Sequence, residues 1–542
     1  MKRMKPFDPA LLALAALLAG VVTLGASFAQ TGTAQLVTSR KLEALLWFLG
    51  RTALYAALMH LVKLALARGR RLDADSRLSR MSCRAFTCAA AGALLLCWLP
   101  YAVMIWPGTV SNDSVTQLLQ IFGLSPLSNG NPVLQTGLIW LCVNACKPLG
   151  ADAAIALYCA TQTLFMALLM GYTLWRLSRM NAPRALLALA FAFYALCPVF
   201  PTFALCVGKD ANFAMATLFL ALMTLSALET PREKPMSVKA TVGLLVASVA
   251  TAFLRNAGLY LALMMLALLL VRALARKSPQ WKAPALCAGV VGCLWLTLHL
   301  LVLPGLGMDE SPETEELSLP LQQVARVVVS QPEALDDAQR AAIDAVLPLE
   351  GIKSAYNGEL SDRVKDLWRA DATAEQKKAF FSTWLSLVKS CPATCFSATF
   401  HNVFGYLCPG YLFTALKPTF LLGDEYGASG LEGRFDFTVN PRAERLEAKL
   451  KTLEQNPIFR LWIAPGLYGC LALFALTIAL RNRGSGSALA LLPALFTLLG
   501  CLLSAVNAYM RYAMPLYIAA PFALALAARA LSEDGRGKEI IR

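Results

Sequence analysis

The stretch PGTVSNDSVTQ, residues 107–117, follows directly after an apolar run long enough to cross a bilayer. It concentrates a carboxylate, side-chain amides and several hydroxyls at the end of that run. Asp113 and Gln117 are four residues apart, so they share one face if the segment continues as a helix, with Gln120 next along the same stripe. Such a helix would lie along a membrane surface with Asp113 at its start. The alternative is that Asp113 or Ser111 only caps the helix.

The overall composition is that of a polytopic membrane protein. Of 542 residues, 57% are hydrophobic and 15% are charged, and the mean hydropathy is +0.56, which is too apolar for a soluble chain. The net charge of +15 does not indicate nucleic acid, because the basic residues form short clusters between apolar runs, as in cytoplasmic loops. The three histidines are scattered, which argues against a histidine-built metal site.

The basic clusters predict the orientation of the chain. Lys2, Arg3 and Lys5 precede an apolar run that no cleavage site follows, so the first helix is predicted to be retained, with its start in the cytoplasm. The second span returns to the strongest basic cluster, Arg68, Arg70, Arg71, Arg77, Arg80 and Arg84. The third span then delivers residues 107–117 to the outer face of the cytoplasmic membrane.

The predicted fold is all-α, and about twelve apolar segments are predicted to cross the membrane as helices, with both termini cytoplasmic. They lie at residues 10–29, 42–66, 85–106, 153–175, 185–200, 211–228, 241–254, 259–271, 283–303, 462–480, 488–506 and 512–530. The apolar piece that begins at Asn131 is left out, because a crossing there would place Arg176, Arg179 and Arg184 outside. It is predicted to be a juxtamembrane helix within one external loop, residues 107–150.

An external, α-rich soluble domain is predicted over residues 305–459, between the ninth and tenth spans. Its first residues are acidic, and SLPLQQVARVVVSQ, DDAQRAAIDAVL and RAERLEAKLKTLEQ each have the pattern of an amphipathic helix. Residues 380–400 are apolar enough to dip into the outer leaflet. The predicted divisions of the chain are therefore residues 1–84, 85–304, 305–459 and 460–542.

Three cysteines fall outside the membrane in this topology, namely Cys391, Cys395 and Cys408. A disulfide among them is left open, because a set of three leaves one thiol unpaired.

Ionisable or amide side chains recur at the predicted outer ends of the spans, where a lipid-facing helix has no reason to place them. A binding site is the default interpretation of such residues; the alternative is interfacial snorkelling with a local pair of neighbouring charges. Together with Gln117 and Asn131, the predicted site residues are Asp113, Lys209, Asp210, Arg255, Asn256, Arg511 and Tyr512.

One acid among several cations suits sugar transfer from a polyprenyl-phosphate donor. A carboxylate can take the proton from an acceptor hydroxyl as that hydroxyl attacks the anomeric carbon. Guanidinium and ammonium groups can bind the departing phosphate. The predicted partners are a polyprenyl-phosphate-linked sugar and the lipid bilayer; the oligomeric state is left open.

The same residues carry a family resemblance, which extends from about residue 95 to the end of the chain. The sequence resembles the membrane glycosyltransferases of the GT-C fold, most closely an uncharacterised bacterial branch with a PG...DS..Q segment, a KD pair, an RN hairpin and a late RY. The resemblance implies a GT-C-like core and places the catalytic base of that fold on Asp113.

Two departures from the family pattern concern proton transfer and metal binding. Where relatives commonly have His-Pro, this chain has Asn131 and Pro132, and asparagine cannot shuttle a proton. Asn112 stands where a second acidic residue is usual, so a divalent cation is left open as a cofactor.

The rival interpretation is a transporter or flippase of a lipid-linked substrate. Transporters usually place ionisable residues near the bilayer midplane and show inverted repeats. Here the predicted charges gather at one face, and the external domain divides the spans nine to three. This pattern favours chemistry at the membrane surface.

Overall fold

The computed structural model describes residues 8–72, 76–180, 182–309, 313–418, 430–438, 440–482 and 485–539. The chain is nearly all helical in these ranges, which confirms the predicted all-α class. The exception is a two-stranded parallel sheet, in which β1 (Thr109–Val110) pairs with β2 (Cys206–Val207).

The helices follow one another through the predicted membrane and external regions. Before the external region they are α1 (Pro9–Thr31), α2 (Gln35–Ser39), α3 (Lys41–Arg68), α4 (Arg77–Arg80), α5 (Cys83–Ile105), α6 (Asn112–Ile121), α7 (Val133–Ala145), α8 (Ala151–Arg179), α9 (Arg184–Leu196), α10 (Val199–Ala204), α11 (Lys209–Glu229), α12 (Val238–Leu254), α13 (Gly258–Ala275), α14 (Lys282–Thr297) and α15 (Leu303–Gly305). The remainder are α16 (Ser318–Ser330), α17 (Asp337–Asp344), α18 (Leu349–Ala355), α19 (Asp362–Lys365), α20 (Ala374–Ser390), α21 (Pro392–Val403), α22 (Pro441–Leu453), α23 (Pro457–Ile463), α24 (Pro465–Arg481), α25 (Ser485–Cys501) and α26 (Met510–Glu539).

Eight helical segments among the described residues are long and apolar enough to cross a membrane. They are α1, α3, α5, α8, α11, α13, the continuous segment Pro279–Gly305 that contains α14 and α15, and Met510–Ser532 of α26. Helices α23 and α24 pass the same test together but are bent by 61°. The chain is thus consistent with a multi-pass membrane protein, and the count of twelve spans stays a prediction.

Three predicted spans form helices shorter than that test requires, α9, α12 and α25. The prediction over residues 185–200 is wrong in one respect, because the helix there is broken: α9 ends before Cys197, and α10 begins after Pro198. Cys197 has extended backbone angles, as expected of a residue that precedes proline. The chain after α10 therefore runs back into the bundle as β2.

Burial divides the helices into a centre and a rim. Helices α11 and α26 carry long runs of buried residues, whereas the one buried residue of α3 is Leu66. Helix α3 packs beside α1 and leaves Leu46, Leu54 and Leu61 exposed, as expected of a helix that faces lipid. The two central helices also carry the ionisable residues Lys209, Asp210 and Arg511.

The region over residues 313–403 has a hydrophobic core of its own. Leu321, Val324 and Val328 of α16 pack there against residues of α17, α18, α20 and α21. Phe380 and Leu387 of α20 point into this core and are fully buried, so the structure offers no support for their dipping into a leaflet. The other helices of residues 313–403 cover these two side chains.

The three cysteines of the predicted external domain are free thiols. Cys391 is half-buried, whereas Cys395 and Cys408 are buried. Cys395 belongs to the core of the soluble domain, and Cys408 packs with Phe28 and Phe404 where that domain meets α1. No disulfide links these three residues in the structure.

Ion pairs mark one end of the helical bundle, which we call the arginine end. Arg176 near the end of α8 and Arg529 of α26 both pair with Glu229, the last residue of α11. Lys63 of α3 pairs with Asp8, which caps the start of α1, at 2.6 Å. This end gathers loops that the sequence analysis assigns to the cytoplasm. We call the opposite end, where α6, α11 and α26 begin, the site end.

Candidate functional site

The strand pair places two distant parts of the chain side by side at the site end. Thr109 lies opposite Cys206 and Val110 opposite Val207. Beyond the strands, the Ser114 hydroxyl donates to the Val207 carbonyl over 2.9 Å. Helices α6 and α11 start directly after β1 and β2, so the pairing brings their first turns together.

Asp113 is the second residue of α6 and is not its cap. The cap is Ser111, whose side chain accepts from the backbone N–H of Ser114, which decides between the two capping residues left open by the sequence. The Oδ2 of Asp113 lies 2.6 Å from Nη2 of Arg511 and 3.0 Å from Nζ of Lys209. Its side chain is 29% exposed, so this carboxylate is bound by two cations and still reachable.

Arg511 joins this carboxylate to a second one. Its Nε donates to Oδ2 of Asp210 over 2.8 Å, and its side chain is 9% exposed. The other oxygen of Asp210, Oδ1, accepts no hydrogen bond within the described chain and faces Nη1 of Arg255 at 3.8 Å. Arg255 in turn lies over the ring of Tyr512, 5.1 Å from its centre. Asp113, Lys209, Asp210, Arg255 and Arg511 therefore form one connected group, which we call the ion cluster.

The loop before α7 closes the ion cluster on a second side. Lys209 donates to Oδ1 of Asn131 over 2.7 Å, and the amide of Asn131 donates to the backbone carbonyl of Asp113 over 3.3 Å. Asn256 donates to the carbonyl of Asn129 over 3.1 Å. Asn131 thus positions Lys209 and Asp113 with respect to each other.

One predicted site residue points elsewhere. Gln117 is buried, and its amide donates to the hydroxyl of Thr136 in α7 over 2.8 Å. It shares a face of α6 with Ser114 and Gln120, which are also buried, and these residues hold α6 against the bundle. The structure brings together all the other predicted site residues, Asp113, Asn131, Lys209, Asp210, Arg255, Asn256, Arg511 and Tyr512, and their role in binding stays a prediction.

The electrostatics of the ion cluster favour anions. Three cationic side chains surround two carboxylates, and the first turns of α6, α11 and α26 meet there. Helix N-termini add partial positive charge and unpaired N–H groups. A small void of about 10 Å³ lies beside Asp210 and Arg511, about the room of a single water.

The ionisation of Asp113 follows from its neighbours. Burial works to raise the pKa of the Asp113 carboxyl, but the charges and hydrogen bonds of Arg511 and Lys209 outweigh it. The pKa of Asp113 therefore lies well below its usual range. In this state Asp113 is an ionised carboxylate and a weak proton acceptor.

The ion cluster does not fit a tightly held divalent cation. Both of its carboxylates already face guanidinium or ammonium groups, which a metal ion would have to displace. Among the described residues, no group of three or more His, Cys, Asp or Glu side chains could hold a metal ion.

Sequence reasoning missed the residues that brace the site. Asn507 donates to the carboxylate of Glu359 over 2.9 Å, and Ser361 donates from its backbone N–H to the carbonyl of Ala505 over 2.8 Å. Glu359 and Ser361 thus hold the loop immediately before Arg511. An acidic residue in a turn such as YNGELSD has no sequence pattern that distinguishes it from a solvated loop.

A buried polar network between α7, α8 and α11 lies beside the ion cluster. The hydroxyl of Tyr158 in α8 accepts from Gln135 over 2.6 Å and from Asn212 over 2.7 Å. The same hydroxyl donates to the carbonyl of Gly208, just before Lys209, over 3.3 Å. The polar spacing of Gln135 within an apolar helix is the signal that could have indicated this network.

Comparison with known proteins places the chain in a family. A family model described as "Family of unknown function (DUF6020)" matches residues 123–540, most of the chain. The chain belongs to the DUF6020 family. The match includes Asn131, Lys209, Arg255 and Arg511 of the site, whereas Asp113 precedes it. No curated protein and no solved structure matches the chain.

Proposed function

We propose that this DUF6020 protein is a membrane glycosyltransferase. In this proposal it moves a sugar from a polyprenyl-phosphate donor to a cell-envelope acceptor at the outer face of the cytoplasmic membrane. The observation that carries the proposal is the contact of one reachable carboxylate, Asp113, with Lys209 at 3.0 Å and Arg511 at 2.6 Å. A base for the acceptor hydroxyl and cations for the phosphate lie within reach of one another.

The reaction assigns a separate task to each charge. The acceptor oxygen forms a bond to the anomeric carbon while the bond between that carbon and the phosphate oxygen breaks. The acceptor proton passes to the Asp113 carboxylate. The departing polyprenyl phosphate takes the electron pair of the broken bond, and Lys209 and Arg511 stabilise its charge. The polyprenyl tail stays in the lipid beside the bundle.

Donor binding would also turn Asp113 into a better base. The phosphate competes for the same cations that now hold the carboxylate, and it adds negative charge nearby. Both effects raise the pKa of Asp113 from its depressed value. Asp113 and the donor phosphate share Lys209 and Arg511 in this account, so proton acceptance is coupled to donor binding.

Asp210 and Asn131 are positioning residues in this account. Asp210 is almost fully buried, with a side chain 5% exposed, and orients the guanidinium of Arg511. Asn131 accepts from Lys209 and keeps the ammonium group close to Asp113. Neither is placed to accept the acceptor proton, because Asp210 is enclosed and the Asn131 amide is not a base.

A transfer assay tests the proposal against its rival. The purified protein is reconstituted in vesicles with a polyprenyl-phosphate hexose labelled in the sugar, together with an envelope fraction as acceptor. A glycosyltransferase moves the label out of the lipid and releases polyprenyl phosphate. If the labelled lipid instead changes leaflet with its sugar still attached, the protein is a flippase and the proposal is wrong.

A further inference from the structure

The arginine end contains a pocket that the proposed function does not use. It lies where the loop after α11 meets the loop after α13, and it encloses about 50 Å³. Its polar lining includes three arginines, and its apolar lining includes buried residues of α11 and α13. Among these lining residues are Arg232, Arg272, Arg276, Leu228, Met236 and Leu269.

The three arginines differ from Arg176 and Arg529 of the same end in their charged partners. Arg176 and Arg529 are paired with Glu229. For Arg232, Arg272 and Arg276, the described part of the chain provides no carboxylate within ion-pair distance. Three guanidinium groups that line one pocket repel one another unless an anion joins them. The positive charge of the pocket lining therefore favours an anion there.

Hydrogen bonds hold the two loops in place without using the guanidinium groups. The Ser278 hydroxyl donates to the carbonyl of Arg232 over 2.6 Å. The Gln280 amide donates to the carbonyls of Thr230 and Pro231, each over 2.8 Å. These bonds fix the walls of the pocket. Arginines that only snorkel to the membrane surface would not need loops bonded to each other.

The surroundings of the pocket indicate a lipid. Val271 and Leu274 of α13 are more than half exposed, and Trp281 at the start of α14 is 41% exposed. Exposed apolar residues beside an interfacial tryptophan are typical of the bilayer boundary. Basic pockets between helices at this depth bind phospholipid headgroups. The length of α11, 21 residues, places the pocket about 30 Å from the ion cluster.

We propose that this pocket binds the phosphate group of an anionic glycerophospholipid. The guanidinium groups of Arg232, Arg272 and Arg276 donate to the phosphate oxygens, and the acyl chains lie along Val271 and Leu274. The length of α11 separates this pocket from the ion cluster. Binding joins the α11–α12 and α13–α14 loops through a shared ligand.

Binding is tested with the purified full-length protein and two lipids as probes. Native mass spectrometry measures retention of phosphatidylglycerol and of phosphatidylcholine offered at equal concentration. We expect a tight phosphatidylglycerol adduct in the wild type. The variant with Arg232→Gln, Arg272→Gln and Arg276→Gln should lose at least about tenfold in affinity, because each arginine supplies charge-assisted hydrogen bonds.

A matched control separates the pocket from general surface charge. Lys234→Gln, Lys239→Gln and Lys282→Gln together remove the same charge from the same end of the bundle, at exposed residues outside the pocket lining. This control should bind within about twofold of the wild type, since none of these lysines lines the pocket. Equal loss in both variants, or no preference of the wild type for phosphatidylglycerol, would overturn the proposal.

Two further arms cover the folding of the variant and the source of the phosphate. If the glutamine variant does not fold, the variant with all three arginines changed to lysine decides: a built pocket loses affinity with lysine, because an ammonium group lacks the planar fork of guanidinium, whereas unchanged affinity contradicts the pocket. Inorganic phosphate is added as competitor at matched ionic strength. Full displacement of the lipid at an equal concentration would show a site for free phosphate and contradict the lipid assignment.

Discussion

Arg511 and Asp113 lie 398 residues apart in the sequence, and the Nη2 of Arg511 contacts Oδ2 of Asp113 at 2.6 Å. The same guanidinium group donates through Nε to Asp210 over 2.8 Å. One side chain at the start of the last helix thus joins the first turns of α6 and α11. The stability of the site and its proposed chemistry both depend on this residue.

Arg511→Gln should destabilise the protein strongly. It leaves the nearly buried Asp210 without its best partner, and the loss of one member of a buried ion pair costs about 3 kcal/mol or more. The matched control is Arg529→Gln on the same helix, whose partner Glu229 is 30% exposed, and whose loss should cost about 1 kcal/mol or less. Thermal unfolding of both purified variants measures the difference. If Arg511→Gln melts at the same temperature as the wild type, the ion cluster adds no stability.

Gly108→Ala should displace β1 and with it Asp113. Gly108 has φ of +136°, and an added Cβ would lie 2.5 Å from Sγ of Cys159. A contact this short forces the strand to move, at a cost of about 1–3 kcal/mol or more. Gly137→Ala is the control, because an added Cβ there meets nothing within 4 Å. We expect a lower melting temperature and lower transfer activity for Gly108→Ala alone; a normal Gly108→Ala protein would contradict the role of the strand pair.

The pH dependence of transfer should differ between free and donor-bound protein. In the free protein the depressed pKa of Asp113 keeps the carboxylate ionised down to acidic pH, so the acid limb of kcat/KM lies below the usual carboxyl range. Donor phosphate draws off the cations and raises this pKa, so the acid limb of kcat moves to higher pH. Rate profiles over pH 3–8 measure both limbs. Coincident limbs would contradict the sharing of cations between Asp113 and the donor.

The sequence indicated where the helices end but not which helices pack against one another. Apolar length and the basic clusters predicted helices at the twelve segments, and Lys209, Arg255 and Arg511 were recognisable because each follows or precedes an apolar run. That these ends meet depends on the packing of α11 against α12 and α26, which no local pattern encodes. The two-residue strands were also beyond prediction, since their pairing joins segments almost a hundred residues apart.

Breaks and side-chain directions were the other limits of sequence reasoning. The apolar run over residues 185–200 hides the break at Pro198, because hydropathy does not register a backbone turn. Gln117 was grouped with Asp113 by helical spacing, yet its amide bonds to Thr136 of α7. The sequence left the cap of α6 open between Asp113 and Ser111, and the backbone geometry shows that it is Ser111.

The predicted topology is open to a labelling test. Ser128 pairs with Asp309 in a short bridge, so the loop over residues 107–150 and the external region lie at the same end of the bundle. Cysteines introduced singly at Ser128 and Glu315, on a background that lacks the native thiols of these regions, should react with an impermeant reagent in intact cells. Cysteines introduced at Arg232 or Lys282 should react only after permeabilisation. The reverse pattern would place the ion cluster in the cytoplasm.

The central claim is that Asp113 accepts the proton of the acceptor hydroxyl, and a single-turnover rate tests it most directly. Asp113→Asn should slow sugar transfer by roughly a hundredfold or more, the usual size of a general-base contribution, in protein that still folds and binds donor. The control is Asp152→Asn, since Asp152 is likewise the second residue of a helix at the site end but, among the described residues, its side chain bonds only to Thr438; it should turn over at the wild-type rate. A wild-type rate for folded Asp113→Asn would show that Asp113 is an ion-pair partner and not the base.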